Sequence, residues 1–199
     1  MFVKISALIV ALVCGGGSAV ATNKANVVGN PKAPKGGTFV WGGASYPKSL
    51  NYPVSGDYYS ALLYSLVVET LCEQDPSTGD YVPLLANKWE ISEDKKVFTF
   101  HIDKKAKFSD GAAVSAHDFK AFWDIVHDKK NLVGNIKAQF DKFSKMEVVD
   151  DHTLKVYAKE VRFSNFDIMC SYMFATDRRF WLAKGKDFNK AFNSKLFGS

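Results

Sequence analysis

Residues Leu85 to Val126 read L-A-N-K-W-E-I-S-E-D-K-K-V-F-T-F-H-I-D-K-K-A-K-F-S-D-G-A-A-V-S-A-H-D-F-K-A-F-W-D-I-V, and their reading decides the fold. The first part predicts a hairpin. Trp89 and Ile91 alternate with polar residues, Ser92 to Lys95 turn the chain, and Val97 to Ile102 return. Side chains in a strand alternate with period two, so Phe98, Phe100 and Ile102 share one face. Asp110-Gly111 is then a turn signal, because Gly tolerates positive φ. A helix follows, with Ser115 as its N-cap. Asp118 stands three residues on, where a carboxylate suits the positive end of the helix dipole. This is a capping box with Asp in place of Glu. Val114 and Phe119 have the spacing of a hydrophobic staple, and Phe119, Phe122, Trp123 and Val126 form one apolar stripe at i, i+3, i+4 and i+7.

This order of residues resembles the family 5 extracellular solute-binding proteins, the peptide- and nickel-binding components of ABC importers. Their signature runs L-A-x-x-W, an acidic turn, x-x-T-F-x-L-R, then A-K-F-x-D-G-x-x-V-x-A-x-D-F. Here it is carried by Leu85, Ala86 and Trp89, by Thr99, Phe100, His101, Ile102 and Asp103, and by Ala106, Lys107, Phe108, Ser109, Asp110 and Gly111. Val114, Ala116, Asp118 and Phe119 complete it. Ile102-Asp103 replaces the usual Leu-Arg, which suits the strand and removes one positive charge. In this reading Trp89, Phe100, Phe108, Asp110, Gly111, Ala116, Asp118 and Phe119 are structural signature positions.

The N-terminus reads as a targeting segment. Lys4 gives a positive start, Ile5 to Val13 is apolar but too short to span a bilayer, and Ala19-Val20-Ala21 is an A-x-A cleavage site. The rival is a lipoprotein signal modifying Cys14, but Ala11-Leu12-Val13 lacks the small residue normally found before a lipidated Cys. Loss of residues 1–21 leaves 178 residues, about one domain or slightly more, and lowers the net charge from +5 to +4. An apolar fraction of 47% is ordinary for a globular chain, and 16 Phe, 8 Tyr and 4 Trp can build a sizeable core. The lysines are interspersed with acids, as in Glu93-Asp94-Lys95-Lys96 and Asp128-Lys129-Lys130. That is a solvated surface rather than the basic, aromatic-laced stripe of a nucleic-acid binder.

Cys72 and Cys170 remain after cleavage. Export permits a disulfide between them. Two separately buried thiols are slightly favoured by sequence, since free Cys is commonly buried and nothing in a sequence shows the Cα separation.

Residues 22–36 form a polar lead-in, Asn30-Pro31-Lys32-Ala33-Pro34-Lys35-Gly36-Gly37, similar to the N-P-x-A-P-K-G-G-T run of the oligopeptide- and murein-peptide-binding branch. Thr38 to Trp41 predicts a strand, and Gly42 to Pro47 a loop without the G-K-S/T or G-x-G-x-x-G of phosphate-binding loops. In the peptide binders the segment after the first strand lines the cleft and offers backbone groups to the ligand. The resemblance therefore carries Ser45, Tyr46 and Pro47 over as cleft residues; the plain alternative is a surface turn. Asp57 caps a helix from Tyr58 to about Leu71, whose many leucines predict burial. Glu69 in Val68-Glu69-Thr70-Leu71 suits a structural ion pair, and Asp75 to Asp80 a hairpin turn.

Beyond the opening stretch, Gly134 is a stop signal, Ile136 to Phe143 a short helix, and Lys145 to Val149 and Thr153 to Tyr157 strands around Asp150-Asp151-His152. Phe163, Phe166 and Ile168 are expected to pack inward. Phe180, Trp181, Asp187 and Phe188 lie in a mixed tail, and Phe197-Gly198-Ser199 resembles a point at which family members continue. Residues 1–199 are accordingly expected to be the N-terminal part of a longer chain.

No other chemistry is signalled. His117 and His127 fall on opposite sides of a helix, His101 in a strand and His152 in a turn, so no shared metal site is expected. Ser115, His117 and Asp118 contain the residue types of a hydrolytic triad, but neighbours on a helix point in different directions.

The implied fold is α/β and periplasmic-binding-protein-like (type II, class C), a two-lobe fold of which only the N-terminal part is present. Residues 1–21 are the signal, 22–51 start the main lobe, 52–160 form an outer α/β subdomain with a mixed sheet, and 161–199 return to the main lobe. The implied role is the periplasmic substrate-binding component of an ABC importer. Its partners would be an oligopeptide ligand and the permease subunits of the inner membrane. It would use no cofactor, bind no nucleic acid, and be a monomer when full length. The family's acidic residue for the peptide α-ammonium lies in the later half, outside these 199 residues. An exported hydrolase and a stand-alone extracellular interaction module are the alternative classes. Intact mass of the exported protein is expected to show a chain beginning at Thr22; a chain beginning at an acylated Cys14 would overturn the cleavage assignment.

Overall fold

A computed structural model describes residues 45–179, together with Lys32, Pro34, Gly36, Val40 and Asn189. The leader, Thr38, Phe39 and Trp41 of the expected strand, the glycines Gly42 and Gly43, and the tail residues Phe180, Trp181, Asp187, Phe188 and Phe197 to Ser199 lie outside the described residues.

In chain order the elements are α1 (Tyr52–Ser55), α2 (Tyr58–Val67), β1 (Cys72–Gln74), β2 (Tyr81–Pro83), β3 (Ala86–Ile91) and β4 (Val97–Ile102). They continue with α3 (Ala116–His127), α4 (Gly134–Phe140), β5 (Phe143–Asp150), β6 (Thr153–Ala158) and α5 (Ser164–Tyr172). Strands β3, β4, β6 and β5 make a four-stranded sheet in that order, and β1 and β2 make a small ribbon. Every neighbouring pair is antiparallel. The mixed sheet expected from sequence is therefore corrected: β4 and β5 do run parallel, but β6 is inserted between them, so they never pair directly.

The β3–β4 hairpin forms where the alternation predicts it, with Trp89 opposite Phe100 and Ile91 opposite Phe98. Its turn is closed by Ser92, whose N–H donates to Val97 O at 2.9 Å and whose Oγ accepts from the Val97 N–H at 2.9 Å. Phe98, Phe100 and Ile102 are buried, and the register sets Phe98 against Val156 and Phe100 against Leu154, both buried too. One face of the sheet is thus an apolar floor. The other carries Lys88, Glu90, Lys145, Glu147 and Tyr157, joined by short surface ion pairs such as Lys145–Glu147 at 2.7 Å.

Helix α3 covers the floor. Phe119, Phe122, Trp123 and Val126 are buried together with Val114 before the cap. Phe122 and Trp123 each pack edge-on against Phe140 of α4, with centroids 5.9 Å apart. The start of α3 is bolted to the sheet, because the Ala116 N–H donates to Asp151 O, in the β5–β6 turn, at 2.8 Å.

Helix α5 closes the other half of the floor. The sequence reading assigns it to the return toward the main lobe, yet it lies in this same core. Phe166 meets Tyr81 at 4.8 Å, Trp89 at 5.6 Å and Phe100 at 5.9 Å between ring centroids. Cys170 is disulfide-bonded to Cys72 of β1, with Cα atoms 4.8 Å apart. The two separate thiols favoured by sequence are thereby corrected. The ring closed by the bridge spans 98 residues, a size for which loop-closure entropy predicts about 4–5 kcal/mol of stabilisation.

Five further expectations are revised. Helix α2 ends at Val67, not near Leu71, because Thr70 bridges to Phe174 and Leu71 turns into the β1 ribbon. It is also not mostly buried: Ser60 and Tyr64 face inward while Leu66 is 75% exposed and Tyr58 is exposed as well. An all-apolar helix surface says nothing about whether a neighbour exists to cover both sides. Gly134 opens α4 instead of stopping a segment, and that helix ends at Phe140 so that Phe143 can begin β5. Phe163 is fully exposed just before α5, whereas Phe166 and Ile168 within the helix pack inward as expected.

Trp123→Ala removes a large ring from between α3 and α4 and is expected to destabilise the fold by about 3–5 kcal/mol, measured from denaturant midpoints. A change below about 1 kcal/mol would mean that this stripe contributes little to the core.

Candidate functional site

The residues that sequence carries over as cleft-lining, Ser45, Tyr46 and Pro47, precede α1. Tyr46 is 90% exposed and Ser45 is exposed, its Oγ donating only to Tyr46 O at 3.4 Å. The chain just after them is braced. The Ser60 hydroxyl donates to Ser49 O at 2.5 Å, and the Ser49 N–H donates back to Ser60 Oγ at 3.4 Å. The Asn51 N–H donates to Ser49 Oγ at 3.0 Å, and Asn51 O accepts from the N–H of Ser55 at 2.9 Å. Asn51 itself is fully buried.

Asp57 is the centre of this brace. It is the N-cap of α2, accepting from the Ser60 N–H at 3.1 Å and from the Ser55 hydroxyl at 2.6 Å, and it shares the single proton of the Ser60 hydroxyl with Ser49 O. Burial works against the charged carboxylate, but the hydrogen bonds from Ser55, from Ser60 and from the Lys48 and Ser60 backbone outweigh it and hold the carboxyl well below its ordinary range. Sequence identified Asp57 as a cap. It missed Ser49 and Ser60, because a serine hydroxyl eleven residues from its acceptor leaves no periodic signal.

The signature acids make a second cluster. Asp118 is buried. Its Oδ2 accepts from the Ser115 N–H at 2.8 Å and from the Ser115 hydroxyl at 2.9 Å. Its Oδ1 accepts from the Arg178 N–H at 3.4 Å and lies 4.0 Å from Arg178 Nε. Asp110 sits in the predicted turn, with Gly111 at φ +87°. One of its oxygens accepts from the Ala112 N–H at 3.0 Å and the other from the Arg179 guanidinium at 2.8 Å. The Ala112 N–H first, and then Arg179, lower the Asp110 carboxyl below its usual range. Arg179 also reaches buried Asp177 at 2.7 Å and lies 6.0 Å from the centre of the Phe108 ring. Arg178, Arg179 and Asp177 were not singled out in sequence, where "D-R-R" reads as one more solvated charge run. Only the fold brings them to Asp110 and Asp118.

The other signature residues are architectural. Phe100, Phe108, Ala116 and Phe119 are buried, and Trp89 packs at the edge of the floor against Phe166. The four histidines stand apart in their partners. His101 Nε2 is 3.6 Å from Glu90, His117 Nε2 is 3.4 Å from Asp151, and His127 Nδ1 meets Trp123 O at 2.8 Å. His152 holds the β5–β6 turn, its N–H donating to Asp150 Oδ1 at 2.8 Å. Ser115 and Asp118 are engaged with each other as a helix cap, not with His117. Among the described residues no group of three or more metal-ligating side chains is gathered, and no helix is long and apolar enough to cross a membrane.

The sequence profile of the bacterial extracellular solute-binding proteins, family 5, matches residues 80–199, more than half of the chain. The chain belongs to this family. Members of family 5 are extracellular or periplasmic solute-binding proteins. The oligopeptide-binding protein AliA of Streptococcus pneumoniae is 30% identical over 192 residues, covering 86% of this chain and 29% of AliA. The periplasmic oligopeptide-binding protein OppA of Salmonella typhimurium is 44% identical over 75 residues, 38% of this chain and 12% of OppA. Among solved structures, the periplasmic binding protein AgaA of A. tumefaciens R10, in complex with agropinic acid, superposes with a TM-score of 0.65 at 26% identity, covering 77% of this chain and 30% of AgaA. The fold of this family 5 chain is thus α/β and periplasmic-binding-protein-like, and the chain spans under a third of the length of each of these relatives.

In this family 5 protein, Asp57→Ala is expected to lower stability by about 1 kcal/mol near neutral pH, the usual cost of removing an N-cap side chain. Because the folded carboxyl is depressed, its contribution is fully present above the ordinary Asp value near 4 and is lost as pH falls below it. The difference in Tm between wild type and variant should therefore be constant from about pH 8 to 5 and shrink below about pH 4. A difference that grows on acidification would contradict the assignment.

Proposed function

We propose that this chain is the N-terminal part of the substrate-binding component of an ABC importer, that it takes up oligopeptides in the periplasm, and that it hands them to the permease subunits of the inner membrane. Family membership supports the class, and relatives bearing the name oligopeptide-binding protein support the ligand. The observation that carries the reading to this chain is Tyr46, exposed beside a segment braced by Ser49, Ser60 and Asp57. An exposed aromatic next to a fixed backbone is the arrangement a ligand can use at small entropic cost.

On this reading residues 1–21 are a leader cleaved after Ala21, residues 22–51 begin the main lobe with Ser45, Tyr46 and Pro47 at the cleft, and residues 52–160 with α5 form the outer subdomain. The remaining residues return to the main lobe. The peptide lies extended and pairs its backbone with the cleft, a form of β-augmentation, and two lobes close on it by a hinge. The protein performs no covalent chemistry, needs no cofactor, and acts as a monomer.

The test is a chimera in which this chain replaces the matching 192-residue part of AliA. Titration calorimetry with a tri- to pentapeptide pool is expected to show saturable binding at about 1 μM or tighter, and Tyr46→Ala to weaken it about tenfold, or about 1.4 kcal/mol. The 199-residue chain alone is expected to bind far more weakly, because a single lobe supplies only part of the enclosing contacts. A folded chimera that binds no peptide, or full affinity in the chain alone, would overturn the reading.

A further inference from the structure

Residues 174–179 follow α5, buried from Phe174 to Asp177 and exposed at Arg178 and Arg179, and touch two regions far apart in sequence. Phe174 is buried, edge-on to Tyr64 of α2 at 4.9 Å and to Phe122 of α3 at 5.5 Å. It also bridges to Thr70. Beyond Phe174 the backbone bonds are long. The Ala175 N–H reaches Glu69 O at 3.4 Å, the Thr176 N–H reaches Asp118 O at 3.3 Å, and the Arg178 N–H reaches Asp118 Oδ1 at 3.4 Å. Ordinary N–H···O bonds cluster near 2.9–3.0 Å, so these three are at the weak end. Thr176 Oγ1 is buried with no hydrogen-bond partner.

The ionic contacts of the same segment are short. Arg179 forks between Asp177 at 2.7 Å and Asp110 at 2.8 Å, and its Nε donates to Asp177 Oδ1 at 3.0 Å. Asp177 is buried, while Arg179 and Asp110 are half exposed. Bidentate guanidinium–carboxylate bonds are strong and directional, and removing the cation leaves a buried carboxylate short of donors. Phe174 and Ala175 anchor the segment in the core; beyond them its short polar contact with the rest of the body is the Arg179–Asp110 arm of the fork, while the Asp177 arm orients the guanidinium from within the segment.

We propose that residues 175–179 are an electrostatic latch. Phe174 is its pivot, Arg179 is its bolt, and the signature acids Asp110 and Asp118 are its catch. The latch ties the α2–β1 connection, at Glu69 and Thr70, to the first turn of α3 and to the Asp110-Gly111 turn. It opens and closes without unfolding the sheet, because the hydrogen bonds of residues 175–179 end on Glu69, Asp118, Asp110 and Asp177 and not on β4 or β6.

Hydrogen exchange on the 199-residue chain, resolved to single amides by NMR, tests this directly. Arg179→Gln is expected to speed exchange at Ala175, Thr176 and Arg178 about threefold to fivefold, the worth of a partly exposed ion pair. Amides of β4 and β6 should stay within about twofold of wild type. Asp110→Asn, a change at an exposed side chain, should give the same pattern with a smaller increase. Unchanged exchange at the three latch amides in both variants would overturn the proposal. So would faster exchange there only in step with β4 and β6, since the segment would then open solely by global unfolding.

Discussion

The structure depends on one buried stripe. Phe98, Phe100 and Ile102 project from the same face of β4, the strand that pairs with both β3 and β6. Removing such rings from water contributes on the order of 1.5–3 kcal/mol each, so the face must be covered on both sides of the strand. Helix α3 covers one half with Phe119, Phe122 and Val126, and α5 covers the other by laying Phe166 on Phe100 and Trp89. The remaining architecture serves this floor. The disulfide holds α5 against the β1–β2 ribbon, and the Asp151 carbonyl holds the start of α3 against the sheet.

The same packing explains how two acids of the signature stretch can be structural. Asp110 and Asp118 both sit at places where the chain reverses or starts a helix, and each has one oxygen occupied by that local task. Each keeps a second oxygen for an arginine that arrives from sixty to seventy residues away. A carboxylate with two tasks couples local geometry to tertiary docking. It is also why the Ser115–His117–Asp118 grouping has no nucleophile to spare: its serine and acid are occupied with each other at the helix start.

Functionally, the body described by residues 45–179 is a scaffold more than an active surface. The residues proposed to meet a ligand, Ser45 to Pro47, lie at its margin, and what the body contributes is the brace around Asp57 that holds the chain just after them. This division suits a binding protein that works by closure of lobes, where each lobe stays rigid and the motion is concentrated in connecting segments.

Much of this was legible in sequence wherever the governing physics is local. Alternation placed the Phe98–Ile102 face, an Asp-Gly pair placed a positive-φ turn, and Ser115 with Asp118 placed the start of α3, because each rule acts over two to four residues. The family signature was legible for the same reason, being a string of such local devices. Tertiary structure alone decided what depends on distant partners. It joined Cys72 to Cys170, inserted β6 between β4 and β5, and brought Arg179 to Asp110. It also left Leu66 of α2 exposed, although its apolar sequence reads as core. Periodicity reports which side chains share a face. Whether anything lies against that face is settled only when the chain folds back on itself.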